Sequence, residues 1–270
     1  MKPLIVPTNF SGSSVNAAKY AANMALTMNT DLFLIHVLQL PVSNAELPLT
    51  EEVFNEMQQS CEQELLNLKL ELQKQTEGKV NIATRLEIGT VEHELEEICK
   101  RKNPFAVVMG IKDSAPERLV FGSNALFAIR HLHYPLLIIP EGTAFHSIQK
   151  IVLACDLTDC DKTIPVDYIK ELQHVFDASL DVLNVNTKKI EQLKSSTEFV
   201  SLKDLLHDLY PTYHFNIGNT VEEGINKFLE QNNADLLLLL PKKHGMFEFH
   251  KSHTKKMALS ACLPIMTIHE

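Results

Sequence analysis

The chain lacks the marks of several large protein classes. None of its apolar runs reaches the ~20 residues a helix needs to cross a bilayer. Its start passes from Lys2 straight into Pro3-Leu4-Ile5-Val6-Pro7, an apolar stretch too short for the core of a secretory signal. Positive charge is scarce: 25 Lys and Arg against 34 Asp and Glu leave a formal net charge of −9, which argues against a general binder of nucleic acid or anionic lipid. The cysteines, Cys61, Cys99, Cys155, Cys160 and Cys262, form no C-x-x-C pair. An odd, unpatterned set reads as reduced thiols in a cytoplasmic protein, each a small core or surface residue. Catalytic signatures are missing as well. No paired-carboxylate motif, Ser-His-Asp arrangement, Walker A loop or H-E-x-x-H occurs. The expectation is therefore a non-enzyme with no metal centre, a weak ATPase activity being the exception left open.

What is present is the composition of a soluble globular protein, 45% hydrophobic and 22% charged over 270 residues. That length suits one large domain or two ordinary ones. Residues 3–8 read as a buried strand, and Asn9 to Ser13 as a turn with helix-capping side chains. Val15, Ala18, Ala22, Ala25 and Leu26 then mark one face of a helix, followed by a second strand over residues 31–37. Thr50 is placed to cap a long helix whose stripe is Met57, Cys61, Leu65, Leu68 and Leu72, with Gly78 at its end. Residues 81–89 read as a third strand. Thr90 to Lys100 reads as a third helix with Glu92, Glu94, Glu96 and Glu97 facing water. Strands alternating with helices of this length imply a parallel sheet with right-handed crossovers.

From about residue 146 the order begins again. KIVLACDLTD matches PLIVPTNFSG and sets Asp156 against Asn9. NIGNTVEEGINKFLE matches EIGTVEHELEEICK and sets Gly218 against Gly89. HKSHTKKMALSACLPIMTI matches FGSNALFAIRHLHYPLLII and sets Pro264 against Pro135. The second copy is shorter between its second strand and Gly218, so its second helix is the part reduced. The reading is two tandem five-stranded parallel-sheet α/β domains: domain 1 over 1–141, a polar linker over 142–149, and a shortened domain 2 over 150–270. Each copy ends in an apolar strand, LLIIP or PIMTI. An exposed edge of that composition invites aggregation, and the simplest cover is the sister strand, paired about a pseudo-twofold axis within the chain or in a homodimer.

The stretch Val107 to Pro140 combines an apolar run ending at Gly110, a polar loop with Lys112, Asp113 and Arg118, then Gly122, Ser123 and Asn124, and a helix broken by Pro135 before Leu136–Ile139. A glycine loop feeding a helix N-terminus can bind an anion through free backbone N–H groups and the helix dipole. This stretch resembles the C-terminal third of the universal stress protein family, whose loop has the form Gly, two residues, Gly, nine residues, Gly-Ser/Thr, before a helix, a Pro and an apolar last strand. Gly110, Gly122, Ser123, Pro135 and LLIIP fall in place. Asp113 stands where the second glycine is expected, and the loop is one residue short.

The resemblance implies a Rossmann-like fold of the adenine-nucleotide-hydrolase type, dimerisation through the last strand, and a nucleotide at the carboxyl ends of the strands, the usual crevice of such sheets. The matching positions are Pro7, Thr8 and Asn9 for the turn that touches ribose, His36 and Val37 for the stretch that frames adenine, and Gly110, Asp113, Gly122, Ser123 and Asn124 for the phosphate loop. Asn9 keeps a hydrogen-bonding side chain without the charge. Asp113 puts a carboxylate beside the phosphate path, which Lys112 and Arg118 offset. The expectation is ATP binding that is weak or lost, confined to domain 1. Ser123 has no base suggested beside it and reads as an N-cap or phosphate donor, and His36 as a structural histidine. In domain 2 the loop LPKKHGMFEFHKSHTKK loses the glycines, so no ATP is expected there. Its Lys242, Lys243, His244, His250, Lys251, His253, Lys255 and Lys256 read as a solvated basic loop, with an anion or partner site and a metal site at His244, His250 and His253 as alternatives. The resulting expectation is a regulatory binding module in the stress response. The competing readings are a slow ATP hydrolase using the first loop and a ligand-independent interaction protein.

Overall fold

A computed structural model of the chain describes residues 1–40, 50–112, 127–129, 131–157, 160–186, 196–217, 220–240 and 263–268. Asp113, Gly122, Ser123 and Asn124 of the first loop lie outside the described residues. So does the second loop from residue 241 to 262. The described residues fall into two compact units: 1–112 with 127–128 and 139–145, and 129–138 with 146–268. Residues 129–138 thus group with the second unit, whereas the sequence boundary assigns them to the first.

In the first unit, β1 (Leu4–Pro7) is central, parallel to β2 (Leu32–Leu38) on one side and to β4 (Ala106–Ile111) on the other. Beyond β2 lies β3 (Ile82–Ile88), also parallel. Leu4, Ile5 and Val6 are fully buried, as the continuous apolar run of an inner parallel strand requires. The crossovers are α1 (Gly12–Met28), α2 (Glu51–Gln75) and α3 (Val91–Lys102). Each helix has a local reason to begin where it does. Ser11, Thr50 and Thr90 occupy the N-caps, and their side chains accept from the amides of Ser14, Val53 and His93. On α2 the stripe buries Leu65, Leu68 and Leu72, with Met57 and Cys61 half-buried, and Gly78 follows the helix at φ 70. On α3 the four glutamates are intermediate in exposure, and the side chains of Glu96 and Glu97 remain solvent-accessible. Glu97 is held 3.0 Å from Lys100, so its carboxyl titrates below the ordinary carboxylate range.

In the second unit, β6 (Lys150–Ala154) is flanked by β7 (Ser179–Asn186) and β9 (Leu236–Leu239), both parallel to it, and β8 (Thr212–Ile217) lies beyond β7. The strand β10 (Ile265–Thr267) is parallel to β9 and antiparallel to β5 (Leu136–Pro140), with Ile265 opposite Ile138 and Thr267 opposite Leu136. The helices are α4 (Cys160–Thr163), α5 (Val166–Phe176), α6 (Thr197–Leu205) and α7 (Val221–Asn232). Among the described residues, the connection after β7 holds the nine-residue α6 and a 3-10 turn at His207–Leu209, where the first unit has the 25 residues of α2.

Matching backbone irregularities accompany this shared order. The turn after β1 is left-handed at Phe10 (φ 62), and the turn after β6 at Leu157 (φ 65). The C-cap of α1 is Asn29 (φ 50), and that of α5 is Asp177 (φ 51). The C-cap of α3 is Asn103 (φ 45), and that of α7 is Asn233 (φ 49). Side chains adopt positive φ sparingly, Asn and Asp most readily.

Candidate ligand site in the first unit

The carboxyl ends of β1, β2 and β4 surround an open cavity of about 450 Å³. Each strand contributes the residues that sit at or just past its end: Pro7, Thr8 and Asn9 after β1, His36 to Gln39 from β2, and Met109 to Lys112 from β4. The first turn of α1 adds Ser11, Ser13 and Ser14, and Val91 opens α3 beside it. A parallel sheet leaves this end uncovered because each strand must leave it to enter a crossover.

The β1–α1 turn is tightly organised. Thr8 is buried, and its hydroxyl is engaged twice, by the Phe10 amide at 3.1 Å and by Ser14 Oγ at 3.1 Å. Thr8 therefore shapes the turn. Asn9 is exposed, and its Oδ1 accepts from the Ser11 amide at 3.2 Å and from Ser11 Oγ at 2.6 Å. With Oδ1 held inside the turn, the group Asn9 presents to a ligand is its Nδ2 donor. His36 donates from Nδ1 to the Thr8 carbonyl at 2.8 Å and stacks on Phe10 with centroids 4.6 Å apart. A carbonyl can only accept, so the neutral ring carries its proton on Nδ1. This matches the structural role read from the sequence, although the ring also borders the cavity.

Gly110 lies inside β4, not in a loop, and its φ is not in the left-handed region. Its lack of a side chain has a different cause. A Cβ at this position would overlap the carbonyl oxygen of Ser13 and stand 2.5 Å from its carbonyl carbon. The glycine lets the first turn of α1 lie directly against β4, and the cavity wall is built by that approach. Val37 is buried, so the backbone at this end of β2 is what faces the opening.

The electrostatics are simple. Among the described lining residues Lys112 is the one that carries a formal charge, leaving His36 aside, and it is exposed at the mouth. The first turn of α1 contains no acidic residue, so no side chain of that turn offsets the positive end of its dipole. Among the described residues no cluster of three His, Cys, Asp or Glu is arranged to hold a metal, and no helix is long and apolar enough to cross a membrane.

The fold thus gathers Pro7, Thr8, Asn9, Val37 and Gly110 around one space. Sequence reasoning missed Ser11, Ser13, Gln39, Val91 and Met109 as wall residues. Taking the residue after each parallel strand as a wall position would have found Gln39, and the N-cap positions would have pointed to Ser11.

The comparisons with known proteins accord with this geometry. The model of the universal stress protein family matches residues 1–140. Over 142 residues the chain is 28% identical to a universal stress protein of Methanocaldococcus jannaschii, a stretch covering 52% of this chain and 82% of that one. Among solved structures, a universal stress protein from Archaeoglobus fulgidus superposes with a TM-score of 0.77 at 14% identity, over 99% of this chain and 98% of its own. A functionally unknown protein from Pseudomonas aeruginosa does so with a TM-score of 0.59 at 11% identity, over 100% of this chain and 92% of its own. At those identities the structural likeness speaks for the fold, which is mixed α/β with a mostly parallel sheet. The match over the first 140 residues, more than half of the chain, places it: this protein belongs to the universal stress protein family.

Proposed function

We propose that the chain is a cytoplasmic tandem universal stress protein, a regulatory binding module of the stress response whose first domain takes an adenine nucleotide weakly. On this reading residues 1–141 form that domain, 142–149 a linker, and 150–270 a shortened second domain that binds no nucleotide. The observation that carries the reading is the cavity of about 450 Å³ at three strand ends, a size within the ~300–1,000 Å³ of small-molecule sites. Asn9 Nδ2 would meet a ribose hydroxyl, the backbone at Val37 the adenine edge, and Gly110, Asp113, Gly122, Ser123 and Asn124 the phosphates. Lys112 and the amino end of α1 supply positive potential for the anion. Asp113 opposes it, which is why the affinity is weak.

The tandem reading is supported by the left-handed residues shared between the units, Phe10 with Leu157, Asn29 with Asp177, and Asn103 with Asn233. Self-association through the last strands is supported by the antiparallel register of β10 on β5. A reducing compartment suits the described cysteines, all of which are thiols. Calorimetric titration of ATP with Mg²⁺ into the full chain tests the function. One site in the micromolar-to-millimolar range is expected, with phosphate release no faster than a buffer blank. Absence of heat up to millimolar ATP contradicts the nucleotide reading, and release above the blank contradicts the non-catalytic one.

A further inference from the structure

The spacing of the cysteines shows no pattern, but the fold brings two of them together. Cys155 follows β6 and Cys160 opens α4, and their Sγ atoms stand 3.6 Å apart. Both are thiols in this structure. The Leu157 amide donates to Cys155 Sγ at 3.4 Å, and Leu157 is the left-handed residue of the turn. The end of β1 carries the same device in oxygen. There the amide of left-handed Phe10 donates to Thr8 Oγ1, which meets Ser14 Oγ. The strand-end carbonyls correspond as well: His36 holds that of Thr8, and Asn184 Nδ2 holds that of Cys155 at 2.8 Å. A hydroxyl pair is replaced by a thiol pair. Two hydroxyls in contact can only hydrogen-bond, whereas two thiols in contact can be oxidised to a covalent bond.

We propose that Cys155 and Cys160 are a reversible thiol–disulfide site, closed by exchange with a low-molecular-weight disulfide such as oxidised glutathione. Cys155 is half-buried and Cys160 buried, so the first exchange falls to Cys155. Its thiolate attacks one sulfur of the small disulfide and displaces a thiolate, which takes up the proton Cys155 lost. Cys160 then loses its proton and attacks Cys155 Sγ in the mixed disulfide, releasing the second small thiol. Two protein thiols and one small disulfide become one intramolecular disulfide and two small thiols, with both electrons passing to the small disulfide. The Sγ atoms close from 3.6 Å to the ~2.05 Å of a disulfide bond. The Cys155 backbone is fixed by Asn184 and by its amide on the Leu183 carbonyl at 2.9 Å, so the movement falls on the four-residue α4.

The surroundings set the speed and the persistence of this reaction separately. The contact with Cys160 and, after it, burial push the Cys155 thiol well above its ordinary range. Thiolate is therefore scarce and the first step slow. The Leu157 amide favours the Cys155 thiolate, but the contact with Cys160 and burial outweigh it. A stabilised thiolate is what makes strongly oxidising dithiols easy to reduce, so without one at Cys155 the closed form persists. Slow closure with a lasting product suits a register of sustained oxidising conditions rather than a catalyst of exchange.

The test equilibrates the full chain in glutathione buffers of increasing oxidised fraction, quenches with acid, alkylates the remaining thiols in denaturant, and maps the peptides by mass spectrometry. The expected product is a Cys155–Cys160 disulfide, with two of the five thiols lost per chain, Cys61 and Cys99 still alkylatable, and full recovery in dithiothreitol. Cys160→Ser should instead trap glutathione on Cys155. Cys155→Thr, which copies the hydroxyl of the first unit, should leave Cys160 alkylatable. Circular dichroism checks that both variants fold. Cys155 and Cys160 both alkylatable at the most oxidising ratio, or either paired with another cysteine, overturns the proposal. If Cys155→Thr does not fold, the trapped adduct in Cys160→Ser decides alone: its absence overturns the proposal.

Discussion

Replacing Gly110 with alanine tests the contact that builds the cavity wall. The added Cβ would overlap Ser13 O and stand 2.5 Å from Ser13 C. Carbon atoms pack comfortably at ~3.5 Å or more, so β4 or the first turn of α1 must retreat by about 1 Å. Overpacking a dense interior costs ~1–3 kcal/mol. The obstacle here is backbone, which cannot rotate aside, so the upper part of that range applies. Alanine regains ~0.5–1 kcal/mol of chain entropy relative to glycine within a strand, leaving a net loss of about 2 kcal/mol. That amount multiplies the open fraction by about 30. Hydrogen exchange followed by mass spectrometry reads this directly, because peptides from α1 and β4 should exchange about 30-fold faster through opening. Gly142→Ala is the control, since nothing lies within 4 Å of its added Cβ although its φ is 81. It should show only the ~1–2 kcal/mol of left-handed strain, and none of it in α1 or β4. Exchange of α1 and β4 in Gly110→Ala within twofold of the parent chain would refute the packing argument.

Two other substitutions bear on different parts of the molecule. Burial, with Glu96 adding to it, pushes the Cys99 thiol up to about 12. Above about pH 9 the unfolded chain ionises this thiol while the folded chain holds it neutral, so stability is full below pH 9 and falls as pH rises toward 12, by about 4 kcal/mol at most. Cys99→Ala should flatten that fall in urea midpoints taken across the window, and parallel pH profiles would count against it. Asp113→Gly should tighten ATP binding severalfold in calorimetry, because it removes a carboxylate from the phosphate path; an unchanged affinity would show that its charge is not the obstacle.

How much of this was legible in the sequence follows from how local each determinant is. Thr50 and Gly78 bracket α2 because caps act on their own first and last turns, and the buried run at Leu4–Val6 declares an inner strand by its composition. Gly110 is the contrary case. Read along the chain it looks like the start of a phosphate loop, yet its lack of a side chain is fixed by Ser13, far away in sequence. Thr8 was singled out as a ligand contact, and the fold shows its hydroxyl turned to Ser14 and Phe10. The thiol pair was invisible because its contact depends on the left-handed turn at Leu157, a conformation that leucine does not advertise.

The central claim is that the nucleotide site lies in the first unit, at the ends of β1, β2 and β4. Hydrogen exchange of the full chain with and without ATP and Mg²⁺ tests it most directly. Slowed exchange is predicted in peptides spanning Thr8 to Ser14, Val37 to Gln39 and Gly110 to Lys112, with peptides from β6 to β9 unchanged. Protection confined to the second unit, or none anywhere at millimolar ATP, would contradict it.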